Sequence, residues 1–363
     1  MSTNTASSRL SQLLSIFTPS KPATMPPWDP DSTSFPTRQN LPPHPIAPKG
    51  ASWNWGATDQ LGRLNLLTPA RVLSARRTIT TGQLIPLNLP LSVPATPSFN
   101  RRPFEHTIKA VAPGISYDDE YTLNTQSGTQ WDGLRHFAHI PSGLFYNGAK
   151  GADIEAEGSD VCGMQAWAAH GIAGRGVLLD YWGYTIAHNK SYDAYAQHAI
   201  SHADLVACGK WQGLDIRPAS QGGDIQIGDM LFVRSGFNAA YASKTEEERT
   251  KLAKREGEAL TYAGVEQSEE MLDWLHDAYF AAVAGDAPSF EVWPPKKDER
   301  AERKYYMHEY ILALWGMPLG EMLDLEALAV ACGKQKRYVF FFVSSPANVK
   351  GGVGSHVNGV AIL

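Results

Sequence analysis

The sequence predicts a mixed α/β fold in which strands and helices alternate along a chain of 363 residues. Three observations support this prediction. Short apolar runs have the length of buried strands, amphipathic helical segments separate the later runs, and no internal repeat indicates a solenoid. The runs that predict buried strands are residues 84–90, 106–112, 176–181, 229–237, 281–286 and 338–343.

The chain divides into a leader and a single domain. Residues 1–48 are rich in Pro, Ser and Thr, a composition typical of extended or disordered segments, so we expect them to wrap over the domain surface. Residues 49–363 carry the strand and helix patterns. With 43% hydrophobic residues, the chain can build a sizeable core, and we predict one α/β domain over this range.

Capping residues mark the first helix of the domain. Thr68 followed by Pro69 predicts a helix start, because a hydroxyl caps the first turn and proline fits its first position. Helical spacing then directs three side chains towards the core, those of Val72, Ala75 and Ile79.

Further elements follow from the same signals. Residues 115–125 alternate in a way that favours a strand leading into a polar segment. Residues 268–280 begin with a serine cap, and residues 324–333 begin with an aspartate cap and end at a glycine, so both predict helices.

Composition excludes several functional classes. The formal charge is −5 and no basic cluster occurs, which argues against a nucleic-acid partner. No apolar run is long enough to span a membrane. The three cysteines are widely spaced and odd in number, which argues against a disulfide framework and favours a reducing compartment. We therefore predict a cytoplasmic protein with a small-molecule partner.

The densest polar segment is QSGTQWDGLRH, residues 126–136. If residues 131–138 form a helix, Asp132 and His136 lie four residues apart on one face. The carboxylate can then hold a divalent ion while the imidazole accepts a proton, or it can simply orient the imidazole. A hydrogen-bonded turn without catalytic function explains the same spacing, and the spacing alone leaves both interpretations open.

A second polar pair lies in the apolar segment MHEYILALWGMPLGEMLDLEALA. An unpaired buried carboxylate is costly, so Glu321 needs a partner there, and a divalent ion shared with Asp132 and His308 would supply one. Alternatively, Glu321 caps the helix that starts at Asp324 or faces water, and this segment alone favours that simpler interpretation.

The chain resembles the cyclase family that includes kynurenine formamidase and isatin hydrolase. Its motif, H-x-G-T-H-x-D-x-P-x-H, aligns with residues 126–136, where Gly, Thr, Asp132 and His136 match. The first two histidines are replaced by Gln126 and Gln130, and the proline is replaced by Leu134. Further segments of family type follow in family order from about Trp53 to the C-terminal KGGVGSHVNGVAIL.

The resemblance implies a swivelling β/β/α fold with a barrel-like mixed sheet, in a homodimer or larger homo-oligomer. It implies a divalent ion, zinc or manganese, on Asp132, His308 and Glu321, with His136 as the proton-transfer residue. Because a glutamine amide is a weaker zinc ligand than imidazole, we expect Gln126 and Gln130 to line the site, as hydrogen-bonding partners of the substrate or as distant ligands. The resulting hypothesis is one metal ion on three protein ligands with an open position.

The predicted activity is metal-dependent hydrolysis of a formamide, amide, lactam or lactone bond in an aromatic or polycyclic small molecule. Trp131 and Tyr146 are the aromatic residues expected to bind substrate beside the two glutamines. One alternative is a metal-free cyclase or dehydratase that uses His136 as a base, with Asp132 orienting it. Another is a ligand-binding protein without catalytic activity.

Overall fold

The computed structural model describes residues 26–296 and 303–363. The described strands are β1 (Leu84–Pro86), β2 (Glu105–Ala112), β3 (Ser116–Thr122), β4 (Gln130–Asp132), β5 (Ile172–Leu179), β6 (Ala199–Ile200), β7 (Met230–Val233), β8 (Gly264–Val265), β9 (Ala282–Gly285), β10 (Leu319–Glu321), β11 (Val339–Ser344), β12 (Gly354–His356) and β13 (Gly359–Ile362). Nine of them form one curled, half-barrel sheet in the order β1-β13-β11-β5-β7-β9-β10-β4-β12. The mixed α/β prediction is confirmed.

Helices lie between the strands. They are α1 (Pro69–Ala75), α2 (Gly151–Glu155), α3 (Met164–His170), α4 (Tyr181–Ala187), α5 (His202–Gln212), α6 (Phe237–Ala242), α7 (Glu246–Ala253), α8 (Glu269–Asp277) and α9 (Glu326–Gln335), with a π-helical turn at Glu309–Leu314. Within residues 26–296 and 303–363, no helix combines the length and apolar character needed to cross a bilayer.

The centre of the sheet is parallel and its flanks are antiparallel. Strands β5, β7, β9 and β10 run parallel, whereas β11 pairs antiparallel with β5 and β4 pairs antiparallel with β10. Every residue of β7 and β9 is buried, because helices and loops cover both faces of a parallel sheet. Their continuous apolar runs are thus explained by position in the sheet.

The strand predicted over residues 106–112 forms, but its predicted burial is wrong. Strands β2 and β3 pair only with each other, and nearly all their side chains are exposed. Ile108 and Tyr117 are 66% and 58% exposed on the apolar face of this hairpin, while Lys109 and Glu120 form an ion pair on the other. The short apolar run identified the strand correctly, but it could not show that the domain leaves the apolar face uncovered.

The first helix begins as predicted, with the Thr68 side chain accepting a hydrogen bond from the Arg71 amide. Ala75 is buried, but Val72 is only half-buried and Ile79 is 39% exposed, so the predicted core face is wrong at these two positions. The α-helix ends at Ala75, and helical spacing therefore no longer determines the direction of Ile79.

The described part of the leader packs on the domain. Phe35 stacks on Tyr279 with ring centroids 4.6 Å apart, and Arg38 pairs with Glu269 and Asp273 of α8. Residues 26–48 contain one short 3₁₀ turn and no strand. Residues 1–25 lie outside the described residues, and the boundary at residue 48 stays a prediction.

Candidate active site

The segment around Asp132 is a strand, so the helix considered for residues 131–138 is wrong. Strand β4 pairs with β10 on one side and β12 on the other, and the sheet uses its backbone hydrogen bonds. A turn follows, in which the His136 amide donates to the Gly133 carbonyl at 2.9 Å. The turn still brings His136 back to Asp132, with 3.8 Å between Nε2 and Oδ2.

Strand geometry determines which side chains of β4 meet. Gln130 and Asp132 lie two residues apart and share one face, while Trp131 points to the other. Glu321 on β10 is paired directly with Gln130. Side chains of directly paired residues lie on the same face, so the three polar groups form one buried cluster. Gln130 and Asp132 are fully buried and Glu321 is 2% exposed.

His308 completes the cluster from the residue before the π-helical turn. Its Nε2 lies 3.5 Å from Asp132 Oδ2 and 3.3 Å from Glu321 Oε1. Its Nδ1 lies 2.6 Å from the carboxylate of Glu291, which also accepts the backbone amides of Met307 and His308. Glu291 therefore fixes the ring so that Nε2 faces the other two carboxylates.

Gln130 links the two carboxylates on the sheet. Its amide nitrogen donates to Glu321 Oε2 at 2.9 Å and lies 3.3 Å from Asp132 Oδ1. This orientation of the amide follows from its surroundings, because the carboxylate oxygens are acceptors and need a donor. Each carboxylate keeps its second oxygen directed towards His308, and within the described part of the chain Asp132 Oδ2 has no hydrogen-bond partner.

The pKa values of the two histidines in the cluster are shifted in opposite directions. Burial opposes a charge on His308, but the adjacent carboxylates of Asp132, Glu291 and Glu321 outweigh burial and raise its pKa well above the ordinary value. Burial lowers the pKa of His136, and the charge of His308 adds to this effect. His136, with 19% of its side chain exposed, is thus a neutral imidazole at neutral pH, as a proton acceptor must be.

The pKa values of the two carboxyl groups, Asp132 and Glu321, are also shifted in opposite directions. Burial would raise the pKa of Asp132, but the nearby His136 and His308 hold it below the ordinary value. Burial and the charge of Asp132 raise the pKa of Glu321. The ionised form is therefore favoured at Asp132 and disfavoured at Glu321.

The cluster fits a divalent cation. Ligand atoms about 2.0–2.1 Å from a tetrahedral zinc ion lie roughly 3.3 Å from one another. The distances from His308 Nε2 to Asp132 Oδ2 and Glu321 Oε1 are 3.5 and 3.3 Å. Among the described residues, the group of possible ligand atoms that all lie within 4.8 Å of one another is that of Asp132, His136 and His308. Glu321 is outside this group, so His136 is a further candidate ligand. Asp132 Oδ2, buried and without a partner, is the atom that an ion would satisfy.

The remaining residues predicted to bind substrate lie in different surroundings. Trp131 is fully buried and its Nε1 donates to Ser344 Oγ at 2.9 Å. Tyr146 is fully buried and its hydroxyl donates to Asp59 at 2.8 Å. Both therefore belong to the core, away from any surface open to a ligand. Gln126 is 8% exposed, and both polar atoms of its side chain lack a partner.

An arc of half-buried aromatic rings borders the cluster. Phe137 lies 5.4 Å from the His308 ring and 5.4 Å from Tyr306. Tyr306 lies 5.4 Å from Trp293, which meets Phe99 edge-on at 5.1 Å. Half-buried rings in series beside polar groups are typical of a site for a planar apolar ligand.

Two charged residues near the cluster, Glu291 and Arg101, were not predicted from the sequence. Glu291 holds His308, and its one indication was a carboxylate in an apolar segment, the same feature that drew attention to Glu321. Arg101 lies close enough to lower the pKa of both Asp132 and Glu321. Its position depends on a loop far from β4 in the sequence, so no local pattern could place it.

The family model named Cyclase matches residues 44–292, which is more than half of the chain. The chain belongs to the Cyclase family. This confirms the resemblance deduced from the motif. No curated protein sequence matches the chain closely enough to serve as a relative.

Solved structures support this assignment to the Cyclase family. A structure described as a novel cyclase matches with a TM-score of 0.70 and 26% identity, covering 86% of this chain and 99% of the other. Isatin hydrolase A from Ralstonia solanacearum matches with a TM-score of 0.51 and 16% identity, covering 81% and 97%. An isatin hydrolase bound to thioisatinate matches with a TM-score of 0.50 and 14% identity, covering 81% and 95%. The predicted cyclase-like fold is confirmed.

Proposed function

We propose that this Cyclase-family protein is a metal-dependent hydrolase that cleaves a formamide, amide, lactam or lactone bond in an aromatic small molecule. The observation that carries the proposal is the set of Asp132 Oδ2, His308 Nε2 and Glu321 Oε1, spaced at 3.3–3.5 Å around His308. A divalent ion held there would polarise a carbonyl and lower the pKa of water.

The protein's own residues supply the remaining steps. His136 lies at the open side of the cluster and is neutral, so its Nε2 can accept the proton of an attacking water molecule. Asp132, 3.8 Å away, then stabilises the imidazolium. His136 can return this proton to the leaving nitrogen or oxygen, which completes hydrolysis.

The aromatic arc supports an aromatic substrate. The rings of Phe137, Tyr306, Trp293 and Phe99 are half-buried and reach from His308 outwards. Stacking on such rings stabilises a planar ligand by roughly 0.5–1.5 kcal/mol per ring contact. We expect the scissile carbonyl at the His136 end of the arc. A cytoplasmic location and a homo-oligomeric state are part of the same proposal.

Elemental analysis of the purified protein tests the metal site. We expect about one zinc or manganese ion per chain in the wild type, and a large loss in Asp132→Ala and Glu321→Ala. Asp229→Asn is a matched control, because Asp229 is also buried but pairs with Arg175 and lies just before β7, two strands away from β10 in the sheet. Full metal content in both site variants would refute the assignment.

A metal-free cyclase or dehydratase is the second candidate, and one observation favours it. Gln130 already donates to both carboxylates, and His308 carries a raised pKa beside three of them, so the cluster is partly neutralised without an ion. This candidate predicts turnover that survives chelation and a pH–rate limb set by His136. Turnover lost on chelation and restored by zinc or manganese would exclude it.

A further inference from the structure

Arg101 is a cation without a carboxylate partner in the described part of the chain. Its Nη1 donates to the main-chain carbonyl of Gln126 at 2.6 Å, and its guanidinium lies over the Phe99 ring at 4.9 Å. Among residues 26–296 and 303–363, no acidic side chain forms an ion pair with it, whereas the adjacent Arg102 pairs with Glu105 at 2.8 Å. The remaining guanidinium donors of Arg101 are thus free for a ligand.

Two contacts place Arg101 at the site. Phe99, which lies beneath it, is the outer ring of the aromatic arc that ends at His308. Arg101 Nη1 also donates to the main-chain carbonyl of Gln126, the first of the two motif glutamines. A row of ring contacts therefore connects the guanidinium of Arg101 with the ring of His308.

Gln126 gives an independent indication of a ligand. The residue is more than nine-tenths buried, yet in residues 26–296 and 303–363 neither its amide nitrogen nor its amide oxygen finds a hydrogen-bond partner. The amide nitrogen lies against Gly354, where a Cβ atom would come within 2.4 Å of it. Gly354 is paired with Asp132, so the amide lies beside the proposed metal ligand. Buried polar groups are rarely left unpaired, and a bound substrate would satisfy this one.

We propose that Arg101 and Gln126 form a subsite for an anionic group, so that the substrate is an aromatic compound bearing a carboxylate. The proposal rests on the proposed function, since it names the substrate class of the same site. Arg101 binds the carboxylate, the aromatic arc stacks the ring, and the amide of Gln126 bonds the polar group next to the scissile bond. Arg101 is a binding residue and takes part in no proton transfer.

Matched ligands that differ only in the carboxylate test the subsite. Isothermal titration measures binding of anthranilate and of aniline, which cannot be hydrolysed, to the wild type, Arg101→Met and Arg101→Lys. We expect Arg101→Met to weaken anthranilate binding about tenfold or more, as removal of a charge-assisted hydrogen bond does, and to leave aniline binding unchanged. Arg101→Lys should recover part of the affinity. Arg102→Met is the control and should match the wild type.

Three results would overturn the subsite. They are equal weakening of both ligands in Arg101→Met, unchanged anthranilate binding in that variant, or a wild type that does not prefer anthranilate to aniline. Hydrolysis of 2-formamidobenzoate and of formanilide, measured with added zinc or manganese, tests the proposed function separately. Selective anthranilate binding through Arg101 without hydrolysis of either compound would refute the hydrolase and leave the subsite intact.

Discussion

Replacing Gln130 by leucine tests the role of this residue as a link between two buried carboxylates. The side chain is fully buried, and its amide nitrogen donates to Glu321 Oε2 at 2.9 Å and lies 3.3 Å from Asp132 Oδ1. Leucine has a similar size but no donor. Gln130→Leu therefore leaves two buried carboxylate oxygens without a partner and opens little new space.

The two contacts of the Gln130 amide nitrogen determine how much stability the variant loses. A hydrogen bond to a charged group stabilises a folded protein by about 1.5–3 kcal/mol, and the 3.3 Å contact with Asp132 lies beyond the optimal range and counts for less. We expect the metal-free Gln130→Leu protein to lose about 2–4 kcal/mol in free energy of unfolding at pH 7. Burial of the leucine offsets only part of this loss.

The loss of stability in Gln130→Leu should increase as the pH rises. The pKa of Glu321 is raised above its ordinary value of 4.5, and removal of a donor raises it further. The folded variant then binds more protons than the unfolded chain above about pH 4.5, so its free energy of unfolding falls as pH rises. The difference from the wild type should be larger at pH 8 than at pH 5.

Urea unfolding of chelator-treated proteins at pH 5, 7 and 8 measures these differences. Gln126→Leu is the matched control, because it replaces the other motif glutamine, whose side-chain amide makes no hydrogen bond. We expect its free energy of unfolding to stay within about 0.5 kcal/mol of the wild type. Equal stability of Gln130→Leu and the wild type, or a deficit that grows on acidification, would refute the linking role.

Three further predictions concern the histidines and their partners. His136→Ala should lower turnover at least about 100-fold while metal content stays unchanged; loss of metal would make His136 a ligand instead. Glu291→Gln should weaken metal affinity about 10–100-fold in a chelator competition, because Glu291 orients the His308 ring. Burial lowers the pKa of His276 to about 4, so the folded protein binds fewer protons than the unfolded chain between that pH and about 6.5. Stability should fall by about 3 kcal/mol as pH drops through this window, and His276→Phe should flatten the curve in acid unfolding.

The sequence predicted the strands of the sheet better than their surroundings. Runs such as residues 281–286 lie in buried parallel strands, where an apolar residue is needed on both faces. Residues 106–112 show an equally apolar pattern but form an exposed hairpin. The pattern of apolar residues shows which face a strand could bury. It does not show whether another part of the chain packs on that face.

The site residues that the sequence predicted are those that match the motif and the later segments of the Cyclase family. Asp132, His308 and Glu321 are together as expected, but their proximity depends on the register of β4 against β10. The four-residue spacing of Asp132 and His136 suggested a helix, whereas a strand and a turn produce their contact. Arg101 could not be inferred at all, because nothing local links its loop to β4.

The two motif glutamines differ in what they do to the site. Gln130 provides donors to Asp132 and Glu321, so it keeps two carboxylates close together that would otherwise repel each other. Gln130 therefore keeps the carboxylate oxygens that face His308 in place. Its own side chain, however, is a weaker metal ligand than the histidine of the family motif. The side-chain amide of Gln126 is buried and has no hydrogen-bond partner among the described residues. A buried amide without an internal partner is costly, and a bound ligand would satisfy it, so this argument links the altered motif to substrate recognition beside Arg101.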